Sequence, residues 1–390
     1  MRYMANKDFQ VTVQPSVFKW TINSAGYAHG ELAKRLGISE EEYQDWLTGN
    51  TKPTLKQLEK LAKIVKRPLA VFLLSEPPKE RPPPKDFRML PGREGRFDKR
   101  TILAIRRARR LQAISKELME NLGVPANCTL PKLTLSYDPV RAAEHLRVEF
   151  EFDEVRQKRF KTVYEVLNYL RDKLESRNLL VFQFSMSVED ARGFTLVDDT
   201  PGVIVVSSKD QIEARVFSLL HELGHVLVNA SGVSLTDIGY MPRKGNAVEK
   251  WCNDFASAFL FPPDVANRVF ASVKNHLTET PTLSRISGTY KVSKALLLYR
   301  MSRTNHITRK EYETVLQRYN PRQKSDRKPT KGKKAFAQKV DVRILSEKGH
   351  RFVSLVGRNI DKGLISHKDA IDYLSVKAGN LNCVLSKARQ

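Results

Sequence analysis

The segment HELGH, from His221 to His225, brings together three residues that can do metal chemistry. Residues four apart lie on one face of a helix, so His221 and His225 can direct ring nitrogens at one ion. Glu222 is offset around the helix and can reach a water bound to that ion. Zinc hydrolases use this spacing: Zn²⁺ lowers the pKa of a water to about 7 and polarises the scissile carbonyl. Glu222 is therefore the predicted general base.

The motif alone is not decisive, because a helix can carry two histidines on an exposed face. The neighbouring residues argue against an exposed face, since most of them are apolar. They are Phe217, Leu219, Leu220, Leu223, Val226, Leu227 and Val228. Buried histidines need polar partners, and a metal ion would supply one.

A catalytic zinc usually has three protein ligands and keeps one position for water. The longer motif HExxHxxGxxH is absent, because Val228 and Ser231 stand where its glycine and third histidine would be. We expect the third ligand at Glu249, on the next helix, if that helix returns antiparallel. Alternatively, Glu249 forms a capping box with Asn246 and serves only its own helix. Asn253, one turn further on, could orient Glu249 or a substrate.

The region around the motif has mixed α and β character. NLLVFQF, ARGFTLVDD and PGVIVVSS are rich in branched and aromatic residues and predict three strands. Ser208 is predicted to begin the motif helix, with Gln211 completing a capping box. The next helix is predicted from about Ala247 to Leu260, before a pair of prolines that cannot continue it.

Short helical segments with tight turns predict a compact all-α unit over residues 1–74. Its second and third helices look like a helix-turn-helix pair, the third capped by Ser39 with Glu42 at the capping-box position. Residues 75–96 are rich in proline and charge and predict an extended linker.

Three other segments complete the predicted organisation. Residues 97–159 form a basic helical connector, for which docking is favoured over phosphate contact. Residues 321–340 form a basic linker that is either a solvated tether or a phosphate-binding segment. Residues 341–390 form a small C-terminal helical module, with Ser366 as a helix cap.

The formal net charge of +24 suggests a polyanionic partner, usually nucleic acid, although a lysine-rich surface would give the same excess. The three cysteines are far apart and odd in number, which fits a reducing cytosol better than a disulfide framework. There is no run of about 18 apolar residues, so no membrane span is expected. We therefore expect a cytoplasmic protein.

HELGH followed by EKWCNDFASAFLFPP resembles the ImmA/IrrE family of metallopeptidases, in which a helix of the form ExxANxFAxxLLxP follows HExxH. The matching positions are Glu249, Asn253, Phe255, Ala256, Leu260 and Pro262, with Cys252 where alanine is usual. The resemblance covers about residues 160–320. It implies that His221, His225 and Glu249 bind Zn²⁺ and that Glu222 is the base. It also implies a protein substrate, such as a transcriptional repressor.

The N-terminal unit resembles XRE-type helix-turn-helix domains. Together the two resemblances imply a multidomain chain that is mainly α, with an all-α helix-turn-helix domain and an α+β zincin-like peptidase domain at 160–320. In XRE-type domains the third helix normally enters the major groove. Here that helix carries acids that would repel phosphates, namely Glu40, Glu41, Glu42 and Asp45. Lys34, Arg35 and Lys52 remain the candidate DNA contacts. Alternatively, the unit dimerises, giving a homodimer, or binds a helix-turn-helix partner.

Three functions follow from these observations. The favoured one is a zinc endopeptidase that cleaves a regulatory protein. The second is a DNA-binding regulator or antitoxin-like protein whose peptidase-like domain binds a partner. The third is a scaffold with a structural zinc site, against which the general-base glutamate argues.

Overall fold

The computed structural model describes residues 9–27, 29–81, 84–86, 97–234, 247–273, 276–319 and 339–388. The chain divides into two compact units. Unit 1 contains residues 1–83 and 90–107, and unit 2 contains residues 84–89 and 108–390. As predicted, the fold is mainly α, with α+β character in unit 2.

Unit 1 is a small helical domain. Its helices are α1 (Pro15–Asn23), α2 (His29–Leu36), α3 (Glu40–Thr48) and α4 (Leu55–Val65), followed by a 3-10 turn at Leu69–Leu73. Gly37, with φ of +77°, ends α2 in the left-handed conformation that glycine adopts without steric cost. The core contains an aromatic cluster in which Phe18 contacts Tyr43, Trp46 and Phe72. Helices α2 and α3 form the predicted helix-turn-helix pair.

The caps of α3 and α4 differ in completeness. Ser39 caps α3 by accepting a hydrogen bond from the Glu42 N–H at 3.0 Å. The predicted capping box is only half formed, because the Glu42 carboxylate instead accepts a hydrogen bond from Gln57 Nε2 at 3.0 Å. Thr54 and Gln57 form a complete capping box at the start of α4.

The long basic helix α5 (Lys99–Asn121) begins in unit 1 and continues into unit 2. Within unit 1, Arg106 donates to the Lys66 carbonyl oxygen at 2.9 Å, just after α4. Within unit 2, Arg109 pairs with Asp198 at 2.6 Å. These contacts support docking as the role of its arginines.

Unit 2 contains a five-stranded mixed sheet. Its strands are β1 (Lys85–Asp86), β2 (Leu179–Phe184), β3 (Gly193–Leu196), β4 (Gly202–Ser207) and β5 (Gly232–Ser234), in the order β1-β5-β3-β4-β2. β2 pairs parallel to β4, β3 pairs antiparallel to both β4 and β5, and β1 pairs parallel to β5. β2, β3 and β4 are the three predicted strands, and every residue in them is buried.

Helices make up the rest of the regular structure described in unit 2. They are α6 (Pro139–Glu149), α7 (Glu154–Arg159), α8 (Val163–Glu175), α9 (Ile212–Leu227), α10 (Ala247–Leu260), α11 (Pro263–Ala271), α12 (Thr280–Tyr290), α13 (Lys294–Arg303), α14 (Arg309–Tyr319), α15 (Val340–Asp361), α16 (His367–Leu374) and α17 (Leu381–Ala388). α9 packs between the sheet and α10, and α10 also packs against α6. The hydrophobic core therefore includes residues of the predicted connector, among them Leu146 and Phe150.

The predicted start of α9 at Ser208 is wrong. The helix begins at Ile212, and its N-cap Gln211 makes no side-chain capping bond. In the preceding turn, the Asp210 carboxylate instead accepts a hydrogen bond from the Gln211 N–H at 2.9 Å and pairs with Arg192, the residue before β3, at 2.9 Å. This contact is distant in sequence, so local capping patterns do not reveal it.

The structure bears differently on the predictions for the two linkers and for the C-terminal module. Within 75–96, residues 85–86 form β1, while most of 321–340 lies outside the described residues. α15 packs against β2 and α8 and is interrupted at Gly349, where φ is +81°. Ser366 caps α16 as predicted and forms a complete capping box with Asp369.

Candidate metal centre

The predicted zinc-binding histidines and general base lie in the interior of unit 2. His221, Glu222 and His225 are fully buried on α9, in agreement with the apolar surroundings predicted from the sequence. α10 runs beside α9 and supplies Glu249, which is also buried. The two helices therefore bring residues from separate parts of the chain to one place.

The side chains of His221, His225 and Glu249 converge on a common point. The Nε2 atoms of the two histidines are 3.2 Å apart. Glu249 Oε2 is 3.2 Å from His221 Nε2, and Glu249 Oε1 is 3.0 Å from His225 Nε2. Ligand atoms about 2.0–2.2 Å from a tetrahedral zinc are about 3.3 Å from one another. The three groups thus have the spacing and the nitrogen–oxygen chemistry of a zinc site.

Cys252 is a second candidate for the third ligand. Its Sγ lies within 4.8 Å of the histidine ligand atoms. The Glu249 oxygens lie 3.0 and 3.2 Å from the histidine nitrogens, the separation that two zinc ligands have, whereas the Cys252 side chain packs against Gly224 of α9. We therefore favour Glu249, with Cys252 serving as a packing residue between α9 and α10.

Asn253 holds the ring of His221. Its Oδ1 accepts a hydrogen bond from His221 Nδ1 at 2.9 Å. Because this oxygen only accepts, Nδ1 carries a proton, and Nε2 is the ring nitrogen that faces Glu249 and His225. The sequence predicted that Asn253 orients Glu249 or a substrate; its hydrogen bond instead orients His221.

Ser234, the last residue of β5, adds a hydroxyl to the cluster. Its Oγ lies 3.1 Å from His225 Nε2 and 3.4 Å from Glu249 Oε1. The side chain is fully buried. The sheet therefore contributes a polar group directly beside the predicted ligands.

Strand β3 fixes the carboxylate of Glu222. Thr195 Oγ1 donates to Glu222 Oε2 at 2.7 Å. Glu222 Oε1 is buried and has no hydrogen-bond partner among the described residues, so it can accept one from a water or substrate. A Cβ at Gly193 would lie 2.7 Å from that Oε1, so only glycine leaves room for the carboxylate.

The charges of the cluster reinforce one another. Burial opposes ionisation of Glu249, but His221 and His225 hold the pKa of its carboxyl well below its usual value. Burial would lower the pKa of His221, but Glu249 raises it above the usual value. Burial raises the pKa of Glu222, as a general base near neutral pH requires.

The sequence did not indicate Thr195, Gly193 or Ser234 as site residues. Gly193 and Thr195 are alternate residues of one strand, so they share a face, and both are small or polar in an otherwise apolar run. That alternation was the available signal. Ser234 had none, because its role depends on where β5 pairs. Asn246, the alternative capping partner of Glu249, lies outside the described residues.

The candidate DNA contacts lie in unit 1, apart from this cluster in sequence. Lys34, Arg35 and Lys52 are exposed. Arg35 is engaged locally, because its Nε is 3.3 Å from Glu31 and its guanidinium lies over the Tyr27 ring. On α3, Glu40 and Glu41 are exposed, and Glu42 and Asp45 are partly exposed. The acidic face expected from the sequence is therefore accessible.

Comparison with known families agrees with both resemblances drawn from the sequence. Residues 174–302 match the peptidase family model described as an IrrE N-terminal-like domain. Residues 19–72 match a helix-turn-helix family model. No curated protein matches the chain significantly. In the described part of the chain, no helix has the length and apolar character that a membrane span needs.

Proposed function

We propose that this chain, which joins an IrrE N-terminal-like peptidase region to a helix-turn-helix region, is a zinc-dependent endopeptidase that cleaves a regulatory protein. A transcriptional repressor is the proposed substrate. The observation that carries the proposal is the convergence of His221, His225 and Glu249 next to Glu222. An isolated structural zinc site would have no use for a buried carboxylate with one free oxygen.

The proposed metal-binding residues are His221, His225 and Glu249. When bound there, zinc would polarise the scissile carbonyl and make a water more acidic. Asn253 keeps the His221 ring in the orientation and tautomer that ligation requires. Ser234 places a hydroxyl beside His225 and Glu249, where it can donate to a substrate oxygen.

Glu222 is the proposed proton carrier. Thr195 occupies Oε2 of its carboxylate, which leaves Oε1 to accept a proton from the attacking water. After the peptide bond breaks, the same carboxyl group can give that proton to the leaving amine. Burial raises the pKa of Glu222, which makes its carboxylate a stronger base toward that water.

The helix-turn-helix unit supports a regulatory protein as substrate, because it would bring the peptidase to DNA or to a protein bound there.

The cysteines Cys128, Cys252 and Cys383 are all free, which supports a reducing compartment such as the cytoplasm.

The proposed substrate can be tested by labelling new protein N-termini in cells of the source organism. Cells expressing the wild-type chain are compared with cells expressing Glu222→Gln, before and after stress. We expect wild-type-specific termini within a DNA-binding regulatory protein. Wild-type-specific termini found only in unrelated proteins would contradict a regulatory substrate but would still support peptidase activity.

A second function is favoured by the helix-turn-helix match, namely DNA binding without cleavage. It requires that the exposed Lys34 and Lys52 contact phosphates. In a salt titration, Lys34→Ala/Lys52→Ala would then weaken duplex binding and flatten its salt dependence by up to about two ions. Lys368→Ala, an exposed lysine of α16, is the control. Equal affinities for all three chains would contradict DNA contact through unit 1.

A further inference from the structure

Strand β5 lies between the cluster of proposed metal ligands and the edge of the sheet. On one side β5 pairs with β3, which holds Glu222 through Thr195. Its own Ser234 contacts His225 and Glu249. A strand that pairs with the other side of β5 therefore lies about 4.8 Å from the backbone that carries this serine.

That other side of β5 is occupied by the chain itself. Lys85 pairs with Gly232 and Asp86 with Val233, in parallel. Pro84, just before this pair, is buried, whereas Lys85 is exposed. Residues 84–89 belong to unit 2, although the sequence on either side of them, residues 1–83 and 90–107, belongs to unit 1.

Without β1, β5 would be an edge strand. Edge strands present unpaired N–H and C=O groups and take up extended peptides through main-chain hydrogen bonds. Among the described residues, the β1 pairing covers two residues, so a peptide that pairs along all of β5 can compete with it. Backbone hydrogen bonds are the main contact between β1 and β5, because the Lys85 side chain is exposed and buries little surface.

We infer that the β5 edge is a binding surface for an extended peptide strand and that Lys85–Asp86 is its intramolecular occupant. A peptide gains the edge only when this segment leaves. The segment thereby restricts access to the metal cluster from that side. The consequence for cleavage rests on the proposed peptidase function, but the occupancy itself does not.

The inference is tested with a peptide of the chain's own sequence, residues 81–90 (RPPPKDFRML), carrying a fluorescent label. All proteins carry Glu222→Gln, so that no peptide is cut. In one variant, residues 85, 86 and 87 become proline, which removes each backbone donor the segment can offer at this register. The matched control places alanine at the same positions, which removes the side chains but keeps the donors.

We expect the peptide to bind the proline variant saturably, and at least about tenfold more tightly than it binds the chain that keeps the unaltered segment. The reason is that a tethered strand competes with the peptide at roughly millimolar effective concentration. The alanine control should behave like the unaltered chain. A peptide with proline at 85–87 should bind none of them. Equal binding to all three proteins, or none to the proline variant, would overturn the inference.

Hydrogen exchange gives an independent readout of folding. In the proline variant, amides of β5 should lose protection while those of α9 keep it. Unchanged β5 protection would show that Lys85–Asp86 does not cover the edge and would also overturn the inference. Because neither measurement needs metal or cleavage, a failure here is distinct from a failure of the peptidase proposal.

Discussion

At the scale of residues, the proposed site depends on polar side chains that position a proposed ligand or the proposed general base. Asn253 orients His221, and Thr195 holds one oxygen of Glu222. Both contacts are buried, so water cannot replace a lost partner cheaply. Removing either group should therefore change one measurable property of the site and leave the others in place.

Thr195→Val keeps the shape of the side chain but removes the hydroxyl that Glu222 Oε2 accepts from. We expect kcat to fall about 10- to 100-fold, the range for residues that orient a reacting group. Zinc affinity should not change, since Thr195 touches no proposed ligand. Thr195→Ser should recover most of the rate. A serine variant as slow as the valine variant would show that the methyl group, not the hydroxyl, matters.

The choice of third ligand can be decided by zinc titration. Glu249→Gln removes the carboxylate whose oxygens lie 3.0 and 3.2 Å from the histidine nitrogens. We expect it to weaken zinc binding by more than the roughly 10- to 100-fold loss typical of an outer-shell residue. Cys252→Ala should bind zinc almost as the wild type does. If the cysteine variant loses zinc and the glutamine variant keeps it, our ligand assignment is wrong.

At the scale of elements, the site depends on how closely α9 and α10 approach. Gly224 of α9 faces Cys252 of α10, and a Cβ there would lie 2.9 Å from Cys252 Sγ and 3.1 Å from its Cα. The helices carry all three proposed ligands, so their separation fixes the size of the site.

Gly224→Ala should push α9 and α10 apart and weaken zinc binding, because a backbone atom cannot turn aside as a side chain can. Gly288→Ala is the matched control: Gly288 lies within α12, and a Cβ there meets nothing within 4 Å. That control should be neutral or stabilise by about 0.5–1 kcal/mol, the usual gain from alanine in a helix. Wild-type zinc affinity and thermal stability in Gly224→Ala would contradict the close approach.

The interruption of α15 at Gly349 fits around a buried ion pair of α8. Arg171 Nε pairs with Glu175 Oε1 at 3.1 Å, and Glu175 Oε2 accepts from the Arg351 N–H at 2.8 Å. A Cβ at Gly349 would overlap Glu175 Oε1 and lie 2.9 Å from Glu175 Cδ. The C-terminal helices are thus tied to the sheet-bearing part of unit 2.

Gly349→Ala should lower the free energy of unfolding by more than the roughly 1–2 kcal/mol that a left-handed conformation costs other residues. Gly363→Ala measures the cost of a positive φ in open space, whereas Gly349 combines φ of +81° with ψ of 157°, a region essentially restricted to glycine. Denaturant unfolding of both variants gives the comparison. Equal losses would show that neither the contact with Glu175 nor the rarer backbone conformation of Gly349 adds to the cost of a positive φ.

Features set by local sequence were the ones that could be predicted. The three buried strands follow from branched and aromatic runs, and α10 ends where prolines stop it. Ser366 fits a local capping pattern that the structure contains. The spacing of HELGH likewise places His221 and His225 on one face before any tertiary contact is considered.

Features set by contacts between distant residues could not be predicted. Before α9, Asp210 pairs with Arg192, which lies 18 residues earlier in the sequence. The role of Ser234 depends on β5 pairing beside β3, and the occupied edge depends on two residues from a proline-rich segment. None of these pairings leaves a periodic pattern in the sequence.

At the scale of the whole molecule, a peptidase region and a helix-turn-helix region share one chain with a net charge of +24. Helix α3, the second helix of the helix-turn-helix pair, is acidic, so the positive charge lies elsewhere. This combination supports our proposal of a peptidase that is brought to regulatory proteins over the alternative of a reader of DNA sequence.

The most direct test of the account measures metal content and cleavage on the same purified samples. Wild type and Glu222→Gln are each weighed by native mass spectrometry and then incubated with an extract of the source cells, whose new N-termini are counted. We predict one zinc per chain in both proteins and new termini with the wild type alone. A wild-type chain that binds zinc yet produces no more termini than Glu222→Gln would contradict the central claim.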